Sequence, residues 1–379
     1  MTDHTHDETP PERLPVSVLT GFLGSGKTTL LKHLLNDPAM ADTAVIINEF
    51  GEVGLDHLLV ESANEDMVLL SSGCLCCTVR GDLIEAMRRL FKKRWNKEIP
   101  EFKRVMIETT GLADPAPVIH TLMQDPLIAD RFRLDGVIAT VDAVNGAVEL
   151  DGHEESVKQA AVADRLVLTK CDLADATTIA SLERRLRALN PAAPILRAEN
   201  GKIAASALLD AGLYNPATKT LDVQRWLNDE AYRAPHDHDH DHDHGHDHHS
   251  HGHHAHDPAH PVAHDAAHRG QDPHDRNRHD ARIRSFAIRH DEPLDWPKLA
   301  DWVEALIAGC GPNLLRMKGV LNVAGAEGPI AIHGVQHLFH PPVELPRWPD
   351  GDRASRIVII ARDLDPEAAT AMFREFQAP

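Results

Sequence analysis

Cysteine is scarce in this chain of 379 residues: there are five, and three of them, Cys74, Cys76 and Cys77, crowd into "SSGCLCCTVR". The other two, Cys171 and Cys310, stand alone. Such spacing excludes a secreted disulfide framework, and the adjacent Cys76 and Cys77 pair poorly with each other. Long apolar runs are missing too. No stretch approaches membrane-spanning length, and the opening "MTDHTHDETPPERLP" lacks the apolar core of a signal peptide. Positive charge is in deficit. With 39 Lys and Arg against 58 Asp and Glu, the formal net charge is −19, which weighs against nonspecific binding to nucleic acid or anionic lipid. The expected setting is soluble, reducing and cytoplasmic, with neither nucleic acid nor membrane as a partner.

The one basic stretch, "RRLFKKRWNK" (88–97), reads as a solvated helix face. Leu83, Met87, Leu90 and Phe91 recur at helical spacing and leave Arg88, Arg89, Lys92 and Lys93 largely opposite.

What is present is a 42% hydrophobic chain long enough for two domains. Over 14–232, short apolar runs alternate with helical patterns. Strands are expected at 16–20, 43–48, 104–108, 136–141 and 165–169, with a weaker candidate at 67–70. Helices are expected at 27–36, 82–94 and 178–189 among others. Strand and helix in alternation predict an α/β domain with a mostly parallel sheet covered on both faces. Residues 1–13 read as a disordered tail. Residues 236–280 hold 17 of the 27 histidines and ten aspartates with almost nothing apolar. That composition cannot offset the entropy of ordering, so 233–281 is expected to be a disordered linker. From 282 to 379 a smaller α+β unit follows: strand 283–289, helix 296–308, strands 314–324, 329–340 and 355–361, and helix 366–376. A ferredoxin-like arrangement is one option for it.

"GFLGSGKT" (21–28) fits G-x4-G-K-[ST], and it lies between a strand and a helix, the context this phosphate loop requires. Its glycines let backbone N–H groups curl around phosphate oxygens, and the helix N-terminus adds the positive end of a dipole. Gly21, Gly24, Ser25, Gly26, Lys27, Thr28 and Thr29 are the expected nucleotide contacts. Lys27 reaches the β- and γ-phosphates, and the Thr28 hydroxyl is placed to ligate Mg²⁺. The strand "RLVLT" runs into Thr169-Lys170-Cys171-Asp172, a guanine-reading [NT]-K-x-D pattern with Thr for Asn. A carboxylate at Asp172 accepts both N1–H and N2–H of guanine, a donor pair that adenine lacks, so GTP is favoured over ATP. In "RVMIETTG", Glu108 ends a strand where an acid meets Mg²⁺ or its waters, and the Gly111 N–H is placed to follow the γ-phosphate. Lys27 and Glu108 are the expected catalytic residues. No glutamine beside the phosphate loop stands out as orienting the attacking water.

In an open parallel sheet, loops at the carboxyl ends of the strands share one edge, where ligands bind. If 67–70 is a strand, Cys74, Cys76 and Cys77 emerge at that edge near Glu49 and Glu52. Thiolates with a carboxylate suit Zn²⁺ or another borderline-soft metal, and three thiols without a closed four-ligand set point to transfer rather than structure. Packing as small buried residues is the competing reading.

"TGFLGSGKTTLL", "INEFGEVGLD", "GCLCC", "IETTGLADP" and "TKCD", in this order over about 14–175, resemble the CobW-type GTPases, metallochaperones related to the urease and hydrogenase nickel-insertion GTPases. "KGVLNVAG" and "IHGVQHLF" resemble the family's C-terminal domain. The resemblance implies a P-loop NTPase fold and GTP hydrolysis coupled to metal delivery, with Zn²⁺ (or Co²⁺ or Ni²⁺) held at C-x-C-C and passed to a metalloprotein client. Cobalt delivery in cobalamin synthesis, nickel insertion and a metal buffer stay open, as does a homodimer. In the His/Asp tract, His236, His238, His240, His242, His244, His246, His248 and His249 offer imidazoles with carboxylates for outer support, a loading arm for the cysteine site or a bare spacer. Cys171, Cys310, His333, His337 and His340 are expected to be structural or exposed.

Overall fold

The computed structural model describes residues 13–47, 68–71, 79–211, 227, 282–348 and 351–378. The cysteine motif, Glu49, Glu52, the histidines of 236–249 and the tail at 1–12 lie outside the described residues.

Strands β1 (Leu14–Gly21), β2 (Thr43–Ile47), β3 (Val68–Ser71), β4 (Arg104–Glu108), β5 (Phe132–Asp142), β6 (Arg165–Thr169) and β7 (Ile195–Arg197) form one sheet in the order β3-β2-β4-β1-β5-β6-β7. Every pairing in it is parallel. The reason is visible in the strands themselves. Every residue of "TAVII" and of "RLVLT" is buried, so both sheet faces need helical cover. That cover comes from α1 (Lys27–Leu34), α2 (Val79–Trp95), α3 (Ala116–Gln124), α4 (Pro126–Arg131), α5 (Gly146–Gly152), α6 (Glu154–Val162) and α7 (Ala176–Leu189). Along α2, Leu83, Met87 and Leu90 are buried while Arg88, Arg89, Lys92 and Lys93 are exposed, the solvated face expected. The weak candidate at 67–70 is a strand, with Ile47 opposite Ser71. β5 begins at Phe132, ahead of the expected 136, because its early charges are paired. Asp135 is buried against Arg104 (2.8 Å) and Ser17 (2.9 Å), so a charged stretch still sits inside a sheet.

The smaller unit has β8 (Ile283–His290), α8 (Trp296–Cys310), β9 (Leu314–Leu321), β10 (Ile330–Val335), β11 (Leu338–Phe339), β12 (Val343–Glu344), β13 (Ser355–Arg362) and α9 (Pro366–Gln377). Its antiparallel sheet runs β11-β10-β9-β13-β8, with β12 on β10. The ferredoxin-like option fails: one helix, α8, precedes five strands in succession, β9 to β13, and α9 ends the unit instead of crossing to a final strand. The strand expected over 329–340 breaks at Gln336, whose φ of 55 turns the chain into a hairpin. Trp302 and Phe373 meet edge to face at 4.9 Å in its core.

The two sheets share a buried junction. Ile283, Leu315 and Ile360 join Val157, Leu166 and Leu186 in one apolar cluster. At its centre Asp164, which directly precedes β6, accepts from Arg316 and Lys318 (2.8 Å) of β9 and from the Val137 N–H (3.0 Å) of β5. Burial alone would push this carboxyl up, but the two cations hold it well below the usual carboxylate range. Because its folded value is depressed, Asp164 stabilises the fold above about pH 4 and loses that contribution as pH falls below it. Asp164→Asn should therefore cost about 3 kcal/mol in urea unfolding, since Arg316 and Lys318 would be left buried without their counter-charge. Adding Lys318→Met should recover part of the loss; a single-variant cost below about 0.5 kcal/mol would show the junction to be apolar in its energetics.

Candidate nucleotide site

Gly21 closes β1 opposite Thr140, and Leu19 lies opposite Glu108, so the phosphate loop and "ETTG" leave the sheet side by side. Gly26 caps α1 with φ 88, a left-handed turn that glycine adopts without strain. The Lys27 ammonium donates to the carbonyls of Gly21 (2.9 Å) and Phe22 (3.0 Å), which pins it across the mouth of the loop. Thr28 Oγ1 donates to Glu108 Oε1 at 2.9 Å. Gly26, Lys27, Thr28 and Glu108, with Leu23, Gly24, Thr29 and 109–111, line a cleft of about 240 Å³. Lys27, Thr28, Glu108 and Gly111, far apart in sequence, thus converge on one site. Thr28 and Glu108 present two hard oxygen donors side by side, a set that fits Mg²⁺.

Thr169-Lys170-Cys171-Asp172, at the end of β6, joins the same edge. Thr169 Oγ1 donates to the Ser25 carbonyl at 2.7 Å, and Ser25 Oγ meets Thr140 Oγ1 at 2.7 Å. Thr in place of Asn therefore bolts β6 to the phosphate loop. Lys170 has φ 56 and reaches Asp142 Oδ2 at 2.6 Å, while Asp172 is exposed beside it.

Several residues here were missed by motif reasoning. Asp142, at the end of β5, is almost fully buried and also accepts from Val144 N–H (2.8 Å) and the Asn145 side chain (3.0 Å). Burial pushes its carboxyl up, but Lys170 and Asn145 bring it below the ordinary value. Glu149 on α5 is pushed up to about 7 by burial and by the charge of Asp142, against the pull of Lys170 and Lys27. The turn after β7, with Asn200 (φ 52) and Gly201 (φ 75), packs on Thr29 and His33. Its signal was readable: "ENG" follows a strand at the same edge. Gln159 on α6 donates to the carbonyls of Gly111 (3.2 Å) and Ala113 (3.0 Å).

Among the described residues the remaining histidines and cysteines form no site. His333 and His340 stack at 5.2 Å, and burial drives both imidazoles down, His340 to about 4. His337 meets His120 edge to face at 5.1 Å. Among the described residues no group of three or more His, Cys, Asp or Glu could hold a metal. Burial raises the thiols of Cys171 and Cys310, which makes them poor nucleophiles and ligands. No helix among the described residues is long and apolar enough to cross a membrane.

Comparison with known proteins agrees with this geometry. The family model of the CobW/HypB/UreG nucleotide-binding domain matches residues 15–197, and that of the cobalamin synthesis protein cobW C-terminal domain matches 283–377. The chain is 30% identical over 360 residues to the zinc chaperone YjiA of Escherichia coli (strain K12), covering 95% of this chain and 98% of that one. It is 28% identical over 390 residues to the zinc chaperone CobW of a Sinorhizobium species, covering 95% and 96%. The crystal structure of Zn(II)-bound YjiA GTPase from E. coli superposes with a TM-score of 0.66 at 27% identity, over 97% of this chain and all of that one. With a phosphate loop and a guanine-type segment on one sheet edge and the two-domain order intact, the chain is a P-loop GTPase that belongs to the CobW/HypB/UreG family of GTP-binding metallochaperones.

Proposed function

We propose that this GTPase carries Zn²⁺ on Cys74, Cys76 and Cys77 with help from Glu49 and Glu52, and delivers it to a metalloprotein client when GTP is hydrolysed. The observation that carries this reading is the strand β3. It runs parallel to β2 and ends at Ser71, so the chain enters the cysteine motif from the edge that holds the nucleotide cleft. β2 ends at Ile47 at that same edge, two residues before Glu49 and five before Glu52 in the sequence. The relatives named zinc chaperones support the choice of cargo.

In this reading Lys27 and the phosphate-loop N–H groups neutralise the β- and γ-phosphates. Thr28 and Glu108 hold Mg²⁺, which supplies charge neutralisation at the transferring phosphoryl group. Asp172 accepts from guanine, Lys170 lies along the base, and Asp142 keeps that lysine in place. The Gly111 N–H follows the γ-phosphate, so loss of that phosphate is felt at the edge where the thiolates sit. The cysteine loop and the nucleotide thereby act on one another.

Asp172→Asn should reduce the preference for GTP over ATP at least tenfold in competition, because one base donor loses its charged acceptor. Equal competition by ATP in the unmodified protein would rule out guanine reading.

Cys76→Ser or Cys77→Ser should weaken the tight metal site about a hundredfold while leaving GDP affinity within twofold, since a hydroxyl is a far poorer zinc ligand than a thiolate. A zinc titration against a chromophoric chelator, with GTP analogue or GDP bound, measures both that loss and the nucleotide dependence. Unchanged tight binding in both variants would exclude the cysteine site.

Deleting 236–280 should leave GTP turnover and the tight site in place and remove most weak metal equivalents. Weak uptake by the full chain should fall as pH drops through about 6.5, where imidazoles protonate. Equilibrium dialysis counts the equivalents; an equal count with and without the tract would make it a spacer.

A further inference from the structure

The segment that reads the γ-phosphate is held from three sides, and one of the holders is a buried amide that the motifs do not include. Upstream, the Thr109 N–H donates to the Leu19 carbonyl of β1 at 2.9 Å. On the phosphate-loop side, Gly111 lies so close that a Cβ there would stand 2.7 Å from the backbone of Leu23. Behind, Gln159 on α6 is 1% exposed, and its Nε2 donates to both Gly111 O and Ala113 O. Both partners are carbonyls, so only the amide nitrogen can serve them, and the orientation of the side chain follows from the network. Its Oε1 is buried with no hydrogen-bond partner among the described residues. The amide thus stays turned to this loop although its other end goes unsatisfied.

The geometry of the turn explains what the clamp does. The Ala113 N–H donates to Thr110 O at 3.1 Å. Thr110 O belongs to the same planar peptide unit as the Gly111 N–H and points the opposite way. Whatever holds the turn therefore aims the Gly111 N–H, and Gln159 holds the turn by two of its carbonyls. Glycine at 111 is demanded by the close approach to Leu23, but it leaves the backbone with the most freedom to lose. An external clamp removes that freedom before the nucleotide binds, and a preorganised donor is worth more at a developing charge than one that must be ordered.

We infer that Gln159 is a positioning residue for GTP hydrolysis, acting through the Gly111 and Ala113 carbonyls to aim the Gly111 N–H at the γ-phosphate. The inference rests on the reading of Gly111 as the γ-phosphate contact. GDP has no γ-phosphate, so its affinity should be indifferent to Gln159.

The test uses the full chain with Gln159→Leu and Gln159→Glu, measuring kcat, GDP affinity and affinity for a non-hydrolysable GTP analogue. In Gln159→Leu, kcat should fall about tenfold to a hundredfold and analogue affinity about fivefold or more, with GDP affinity within twofold. Gln159→Glu keeps the shape but turns a carboxylate towards two carbonyls at neutral pH. Once protonated it regains one O–H donor, so its turnover relative to the unmodified protein should rise as pH is lowered towards a carboxyl value that burial has raised. A packing role would give no such profile. If Gln159→Leu does not fold, that profile decides. Unchanged kcat and analogue preference, a flat relative pH profile in Gln159→Glu, or equal losses for GDP and the analogue would each overturn the inference. Gly111→Ala separates it from the reading beneath. Should Gly111→Ala keep its preference for the analogue over GDP, the γ-phosphate role of Gly111 fails and the inference with it. Should that variant lose the preference while the Gln159 variants keep it, only the role of Gln159 fails.

Discussion

A single buried carboxylate carries the junction on which both domains depend. Asp164 binds the backbone of β5 with one oxygen and the Arg316 and Lys318 side chains of β9 with the other. A guanidinium, a carboxylate and an ammonium that burial pushes down to about 7 are tolerable far from solvent only while their hydrogen bonds stay intact, so small displacements between the sheets are resisted more strongly than an apolar seam would resist them. Asp164 stands at one end of β6, and Thr169 and Lys170 stand at the other. β6 is thereby anchored below by the C-terminal domain and above by the phosphate loop.

A second line of contact crosses between the domains on the far side. Asp114, three residues after Gly111, accepts from Gln336 (3.4 Å) on the β10–β11 hairpin and lies 3.5 Å from Lys158 of α6. Lys158 also pairs with Glu154 (2.9 Å), which pairs with Arg362 of β13 (2.6 Å). Glu154 and Arg362 are partly exposed, so this chain of charges is screened and weak beside the Asp164 junction. Its interest is its position, because α6 carries both Lys158 and Gln159.

Much of this was legible before any coordinates. The phosphate loop, "ETTG" and "TKCD" each combine a fixed spacing with a preceding apolar strand, and a parallel sheet brings such strand ends to one edge whatever the sequence distance between them. The roles of Thr169, Asp142 and Gln159 were not legible. Each depends on a partner tens of residues away, and nothing in a lone Thr, Asp or Gln marks that partner. The early start of β5 was hidden for a related reason: Arg133 and Asp135 look like loop residues until Arg104 and Ser17 are placed beside them. The strand order of the smaller sheet was illegible too, since alternating apolar residues mark strands but not which strand lies beside which.

Leu227 changes how the histidine tract relates to the rest of the chain. It is buried with Val320, Ala331, Leu345 and Val358 against the C-terminal sheet, and Arg282 leads directly into β8 of that same sheet. Leu227 and Arg282, the described residues on either side of 228–281, therefore both lie on the C-terminal domain. The free energy of closing a stretch between two such points grows only with the logarithm of its length, about 0.6 kcal/mol for each doubling. A change in the number of residues between Leu227 and Arg282 therefore costs the fold little, so the length of that stretch can vary separately from the machinery that hydrolyses GTP.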